Sequence, residues 1–92
     1  MVHKAHIPYA MENAPYVNEA VANVIKRLRK EKNLTQEQLA GFARTSRSQI
    51  AQLESGKRGV TLNTLYWIAD GVGLSFDEIL ALVLNAKRSL KK

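Results

Sequence analysis

The chain has 92 residues, 46% of them hydrophobic, which is enough for one small domain with one core and too many for a chain disordered throughout. It contains no cysteine, which excludes disulfides, zinc–thiolate sites and thiol nucleophiles and fits a reducing cytoplasm. The net charge is +6, and the whole excess lies between Lys26 and Arg58, where nine basic residues stand against Glu31, Glu37 and Glu54; a polyanion is the natural partner of such a stretch, although a basic solvated face is common by itself.

Residues 1–17 hold both prolines, both histidines and two of the three tyrosines. Pro8 and Pro15 interrupt any helical period, so an irregular arm is expected there. From Val17 onward, Val17, Ala20, Val21, Val24, Ile25 and Leu28 recur with a 3.6-residue period. That predicts a first amphipathic helix to about Lys32, with Lys26, Arg27, Lys30 and Lys32 on its other face and Asn33 as a left-handed C-cap. Three later helices open on the Ser/Thr-x-x-Glu/Gln capping-box spacing: Thr35 with Gln38, Ser46 with Gln49, and Ser75 with Glu78. Each cap is worth about 1 kcal/mol, which matters for short helices. A further helix starts after Thr61, places Leu62, Leu65, Ile68, Ala69 and Val72 toward the core and ends at Gly73. Phe76, Ile79, Leu80 and Val83 then form the core side of the last helix. No segment alternates with period two and no internal repeat is present. The expected fold is all-α with five helices, a domain over residues 18–86 between the arm 1–17 and a basic tail 87–92.

The segment Leu34-Thr35-Gln36-Glu37-Gln38-Leu39-Ala40, then Ser46-Arg47-Ser48-Gln49-Ile50-Ala51-Gln52-Leu53-Glu54, then Gly56-Lys57-Arg58 resembles the Cro/repressor-type helix-turn-helix of lambdoid phage repressors and XRE-like bacterial regulators. Ile68-Ala69 and Gly73-Leu74-Ser75 fit the same pattern, and with the first helix the resemblance covers about residues 18–80. It implies a compact lambda-repressor-like fold whose second motif helix, about residues 46–55, lies in a DNA major groove with its N-terminal residues on base edges. On that resemblance Arg47, Ser48 and Gln52 point at bases, with Gln49 a weaker candidate. The chemistry agrees, since arginine can bind guanine and glutamine adenine through two hydrogen bonds each. For Gln49 the capping box offers the opposing role of holding its side chain on Ser46. The resemblance places Gln36 on a phosphate at the N-terminus of helix two, and Lys57 and Arg58 on phosphates beside the groove. It also implies an ion pair between Arg29 and Glu54.

Three residues depart from the family pattern. Arg44 stands where the motif's turn usually has glycine, and a left-handed backbone there costs about 1 kcal/mol; Arg44 could instead add a phosphate contact. Thr45 replaces a usual apolar residue. Gly41 weakens helix two by about 1 kcal/mol relative to alanine.

The helical period places Trp67 toward solvent, either as a contact site or covered by the arm with Tyr9 and Tyr16. The last helix is apolar on more than one face, so Leu82 and Leu84 are candidates for a dimer or partner contact; the alternative is burial by the arm. His3 and His6 lie in the arm with no second ligand pair, so no metal site is expected there. No catalytic group, cofactor site or glycine-rich phosphate loop is recognisable, and no membrane-spanning or signal segment is expected. The leading expectation is a cytoplasmic, nucleoid-associated, dimeric regulator that reads a two-fold symmetric double-stranded operator, as repressor or controller. Gly59-Val60-Thr61-Leu62 resembles the corresponding loop of restriction–modification controller proteins. The alternative is an antitoxin or adaptor that acts mainly on a protein partner such as a toxin or polymerase.

Overall fold

The computed structural model describes residues 16–90. The expectations for the arm before Tyr16, His3 and His6 included, and for Lys91 and Lys92 lie outside the described residues. Within them the helices α1 (Val17–Glu31), α2 (Gln36–Phe42), α3 (Arg47–Glu54), α4 (Leu62–Gly71) and α5 (Phe76–Leu90) follow in chain order, with no strand among the described residues.

Four of the five helices begin on a hydroxyl side chain. Thr35 and Ser75 open α2 and α5 with reciprocal capping boxes: Thr35 Oγ1 accepts from the Gln38 N–H at 3.0 Å while the Thr35 N–H donates to Gln38 Oε1 at 2.8 Å. Ser75 and Glu78 repeat the arrangement at 3.1 and 2.7 Å. Ser46 caps α3 through the Gln49 N–H, and Thr61 caps α4 through the Thr64 N–H, both at 3.1 Å. Four helices also end alike. Asn33, Arg44, Gly56 and Gly73 all have positive φ, between 57° and 80°. The next N–H returns to the last helical turn, from Leu34 to Arg29 O (3.1 Å), Thr45 to Ala40 O (3.0 Å), Lys57 to Gln52 O (3.2 Å) and Leu74 to Ala69 O (2.9 Å). These bonds satisfy carbonyls that would otherwise be orphaned. α2 and α3 have 7 and 8 residues, too few to persist in water alone, so caps and packing maintain them.

Every helix gives at least one large aliphatic side chain to the centre. Ile25, Leu39, Ile50, Ile68 and Ile79 are all fully buried, each contributing about 1.5–3 kcal/mol of apolar burial. α1 packs on α5 and α3, α2 packs on α3 and α4, and α4 packs on α5. The motif pair α2–α3 is therefore held between α1 on one side and α4 on the other.

α2 and α4 come into close contact at Phe42 and Gly71. A Cβ on Gly71 would stand 2.6 Å from the Cβ of Phe42, and a Cβ cannot rotate away. Gly71→Ala should therefore lower stability by about 1 kcal/mol, the overpacking exceeding the gain in helix propensity. Gly41 has no neighbour within 4 Å of such a Cβ, so Gly41→Ala should raise stability by about 1 kcal/mol. Urea unfolding of both variants checks the pair; equal shifts of the same sign would contradict the packing argument.

Two sequence expectations are corrected. The helical period places Leu62 on the core side, but it is 66% exposed. It is the first residue of α4, ahead of the turns that carry Leu65, Ile68 and Ala69 into the core, and it shares an outward face with Tyr66 four residues on. The same period places Trp67 toward solvent, but it is half-buried and packs against the core. The basic run from Lys87 begins inside α5, which continues to Leu90.

Candidate nucleic-acid interface

α3 has two faces of opposite chemistry. Ile50 and Leu53 anchor it in the core, while Arg47, Ser48 and Gln52 stand exposed on the other side. Residues 48 and 52 share a face by their four-residue spacing, and Arg47 is at the helix entry. Gly56 turns left-handed after α3, so that Lys57 and Arg58 follow the helix end as exposed cations.

The outward side chains are not independent. Arg29 on α1 donates from Nε to Glu54 Oε2 at 2.6 Å and from Nη2 to Glu54 Oε1 at 3.0 Å, and from Nη1 to the Leu34 carbonyl at 2.8 Å. This is the ion pair implied by the resemblance. Glu54 is buried, and its side chain keeps 4% of its exposure against 13% for Arg29. The hydrogen bond to Glu54 raises the Arg29 pKa above the ordinary guanidinium value, outweighing burial, which lowers it, and the charge of Glu54 adds to the rise. Gln36 extends the network: its Nε2 donates to Glu54 Oε1 at 3.1 Å, and its Oε1 accepts from Arg47 Nη1 at 3.4 Å. Gln36 thus links the buried pair to the first residue of α3. Beyond the other end of α3, Arg58 Nη1 donates to Gln52 Oε1 at 3.2 Å. Arg47 and Gln52, two of the candidate base readers, are each hydrogen-bonded to a candidate phosphate contact.

Gln49 has a different partner from the one the capping box suggests. Its backbone N–H is capped by Ser46, but its side-chain Oε1 accepts from Thr45 Oγ1 and not from the Ser46 N–H. In the sequence Thr45 stands out only as a departure from the family pattern; its four-residue spacing from Gln49 is the signal for this bond. Arg44 adopts the left-handed conformation, φ 57°, and its guanidinium carbon lies 3.6 Å from the Trp67 ring centroid. Trp67 meets Tyr66 edge-on at 5.0 Å, and Tyr66 meets Phe76 at 5.9 Å. Arg44 and Trp67, assigned separately from sequence to phosphate and to partner contact, are brought together within the chain. On α5, Leu82 is half-buried against the core and Leu84 is 53% exposed. Among the described residues no group of three or more His, Asp or Glu is placed to hold a metal ion, and no helix is long and apolar enough to cross a membrane.

Residues 25–79 match the family described as helix-turn-helix. Over 65 residues the chain is 35% identical to the competence pilus inhibition repressor of Acinetobacter baylyi, a match spanning 71% of this chain and 59% of that protein. Over 58 residues it is 40% identical to the control protein C.MunI of a Mycoplasma species, spanning 62% of this chain and 78% of that protein. Its fold is similar to that of the restriction–modification controller protein C.Esp1396I, in a crystal structure of that protein as a tetramer with its natural 35 base-pair operator. The TM-score is 0.71 at 28% identity, covering 80% of this chain and 97% of the other.

Proposed function

Because this chain belongs to the XRE-like helix-turn-helix family, we propose that it is a sequence-specific double-stranded DNA-binding transcriptional regulator, a repressor or controller that places α3 in the major groove. The observation that carries this reading is the exposed row Arg47, Ser48 and Gln52 on a capped, core-anchored helix whose ends are flanked by Gln36, Lys57 and Arg58. The similarity to repressors and to a controller solved on its operator supports it.

In this reading Arg47 takes guanine O6 and N7, Gln52 takes adenine N6 and N7, and Ser48 reads less selectively between them. Lys57 and Arg58 bind phosphates, which fix register and affinity. Gln36 keeps Arg47 aimed and offers its own amide at the N-terminal turn of α2. The existing Gln36–Arg47 and Arg58–Gln52 bonds reduce the side-chain ordering that binding must supply. The protein acts as a homodimer through α5, with the exposed Leu84 at the contact and Leu82 behind it. Two copies of α3 then meet half-sites about 34 Å apart on a two-fold symmetric operator. Its place of action is the nucleoid.

The test is selection of sites from a random duplex pool at about 150 mM salt, followed by measurement of affinity against salt. A palindromic site, with an affinity that falls steeply as salt rises, is the expected result. Enrichment of no sequence would overturn the reading and turn attention to a protein partner. Sedimentation of the full chain and of Leu84→Lys tests the dimer; a wild-type monomer at micromolar concentration would remove it.

A further inference from the structure

We infer that Arg44 and Trp67 form a positioning pair that sets the placement of the recognition helix, with Trp67 acting through Arg44 and touching no DNA. The inference rests on the reading of α3 as the groove-reading helix. The turn between α2 and α3 is short, residues 43–46, and its geometry dictates where α3 points. At its centre Arg44 holds φ 57°, a conformation that a residue with a Cβ adopts only against a steric penalty. Something must therefore hold it there. Its own backbone contributes the Thr45 N–H bond to the Ala40 carbonyl, which glycine would make equally well. What glycine could not provide is the guanidinium seated over the Trp67 ring at 3.6 Å.

The platform is well fixed. Trp67 is packed against the core and held edge-on by Tyr66, which is braced by Phe76 at the start of α5. The next turn residue, Thr45, bonds Gln49 on α3. Consecutive residues of one turn thus bind two different helices, Arg44 α4 and Thr45 α3. A displacement of Trp67 is transmitted to the start of α3, where Arg47 stands. An indole face is the preferred platform for a guanidinium, and the attraction strengthens as the pair is desolvated.

The experiment is a double-mutant cycle on the full chain, Trp67→Leu and Arg44→Gly singly and together. Its readout is the ratio of affinities for the duplex enriched by the wild-type chain and for a scrambled duplex of equal length. Circular dichroism melts verify that each variant is folded at the assay temperature. Trp67→Leu should reduce the ratio about fivefold beside Arg44, the size of one such stack. It should leave the ratio unchanged in the Arg44→Gly background, because glycine takes the turn without a platform. Trp67→Phe, which keeps an aromatic face, should retain most of the ratio. Equal losses in both backgrounds would make Trp67 a packing residue only and overturn the inference, as would no loss in either. If Trp67→Leu fails to fold, Arg44→Ala decides: it keeps the left-handed strain, loses the stack and should show the fivefold reduction, and an unchanged ratio overturns the inference. Failure of the wild-type chain to enrich any duplex would instead overturn the DNA-reading proposal, and this inference with it.

Discussion

Glu54→Ala should destabilise the protein by about 3–5 kcal/mol, because it leaves the Arg29 guanidinium inside the fold without its counter-charge. Glu54 accepts two hydrogen bonds from Arg29 and one from Gln36, and its side chain is nearly inaccessible. Without the carboxylate, Arg29 keeps only the Leu34 carbonyl among its hydrogen-bond partners in the fold. Glu54→Gln keeps the shape and one acceptor oxygen and should fall between wild type and Glu54→Ala. Replacing both partners, Arg29→Met with Glu54→Leu, should return stability to within about 1 kcal/mol of wild type, since the desolvation of both charges is removed together. Urea denaturation of the four proteins measures this. A change below about 1 kcal/mol for Glu54→Ala would mean that Arg29 escapes to solvent and that the pair contributes little.

Arg47→Ala should weaken binding to the selected duplex by about 1–3 kcal/mol and relax preference at a single base pair of each half-site. Lys57→Ala should weaken all sequences alike and lower the salt slope by about one per subunit, as expected for a phosphate contact. The contrast separates reading from anchoring within one fold. Arg47 also receives direction from Gln36 at 3.4 Å, so Gln36→Ala should reduce the Arg47-dependent preference even though Gln36 is on another helix. Competitive binding of the enriched duplex and its single-position variants measures all three. If Arg47→Ala weakened every sequence uniformly, Arg47 would be a phosphate contact and the base-reading assignment would be wrong.

The proposed interface was legible in residue types more than in contacts. The alternation of buried Ile50 and Leu53 with exposed Arg47, Ser48 and Gln52 follows from helical period alone. The Arg29–Glu54 pair came from the resemblance and is present at 2.6 Å. The bonds of Gln36 to Glu54 and Arg47, of Arg58 to Gln52 and of Gln49 to Thr45 did not come from the sequence. Gln36 has several acceptors and donors within reach of its chain position, and only the packing of α2 on α3 selects among them.

Local signals in the sequence define the elements: five helices, hydroxyl caps on α2, α3 and α5, a left-handed end at Asn33, a helix stop at Gly73, and the basic stretch coincident with the motif. These are local quantities, fixed by periods of a few residues and by backbone sterics, and they need no knowledge of the neighbouring helices. Tertiary structure alone decided that Leu62 stays in water and that Trp67 is half-buried. It also decided that Arg44 lies on Trp67, 23 positions away in sequence. Whether a side chain at the margin of an apolar stripe is covered depends on where the next helix ends, and whether a cation meets an aromatic face depends on how two helices cross. Neither follows from a helical wheel, because the covering atoms belong to another part of the chain.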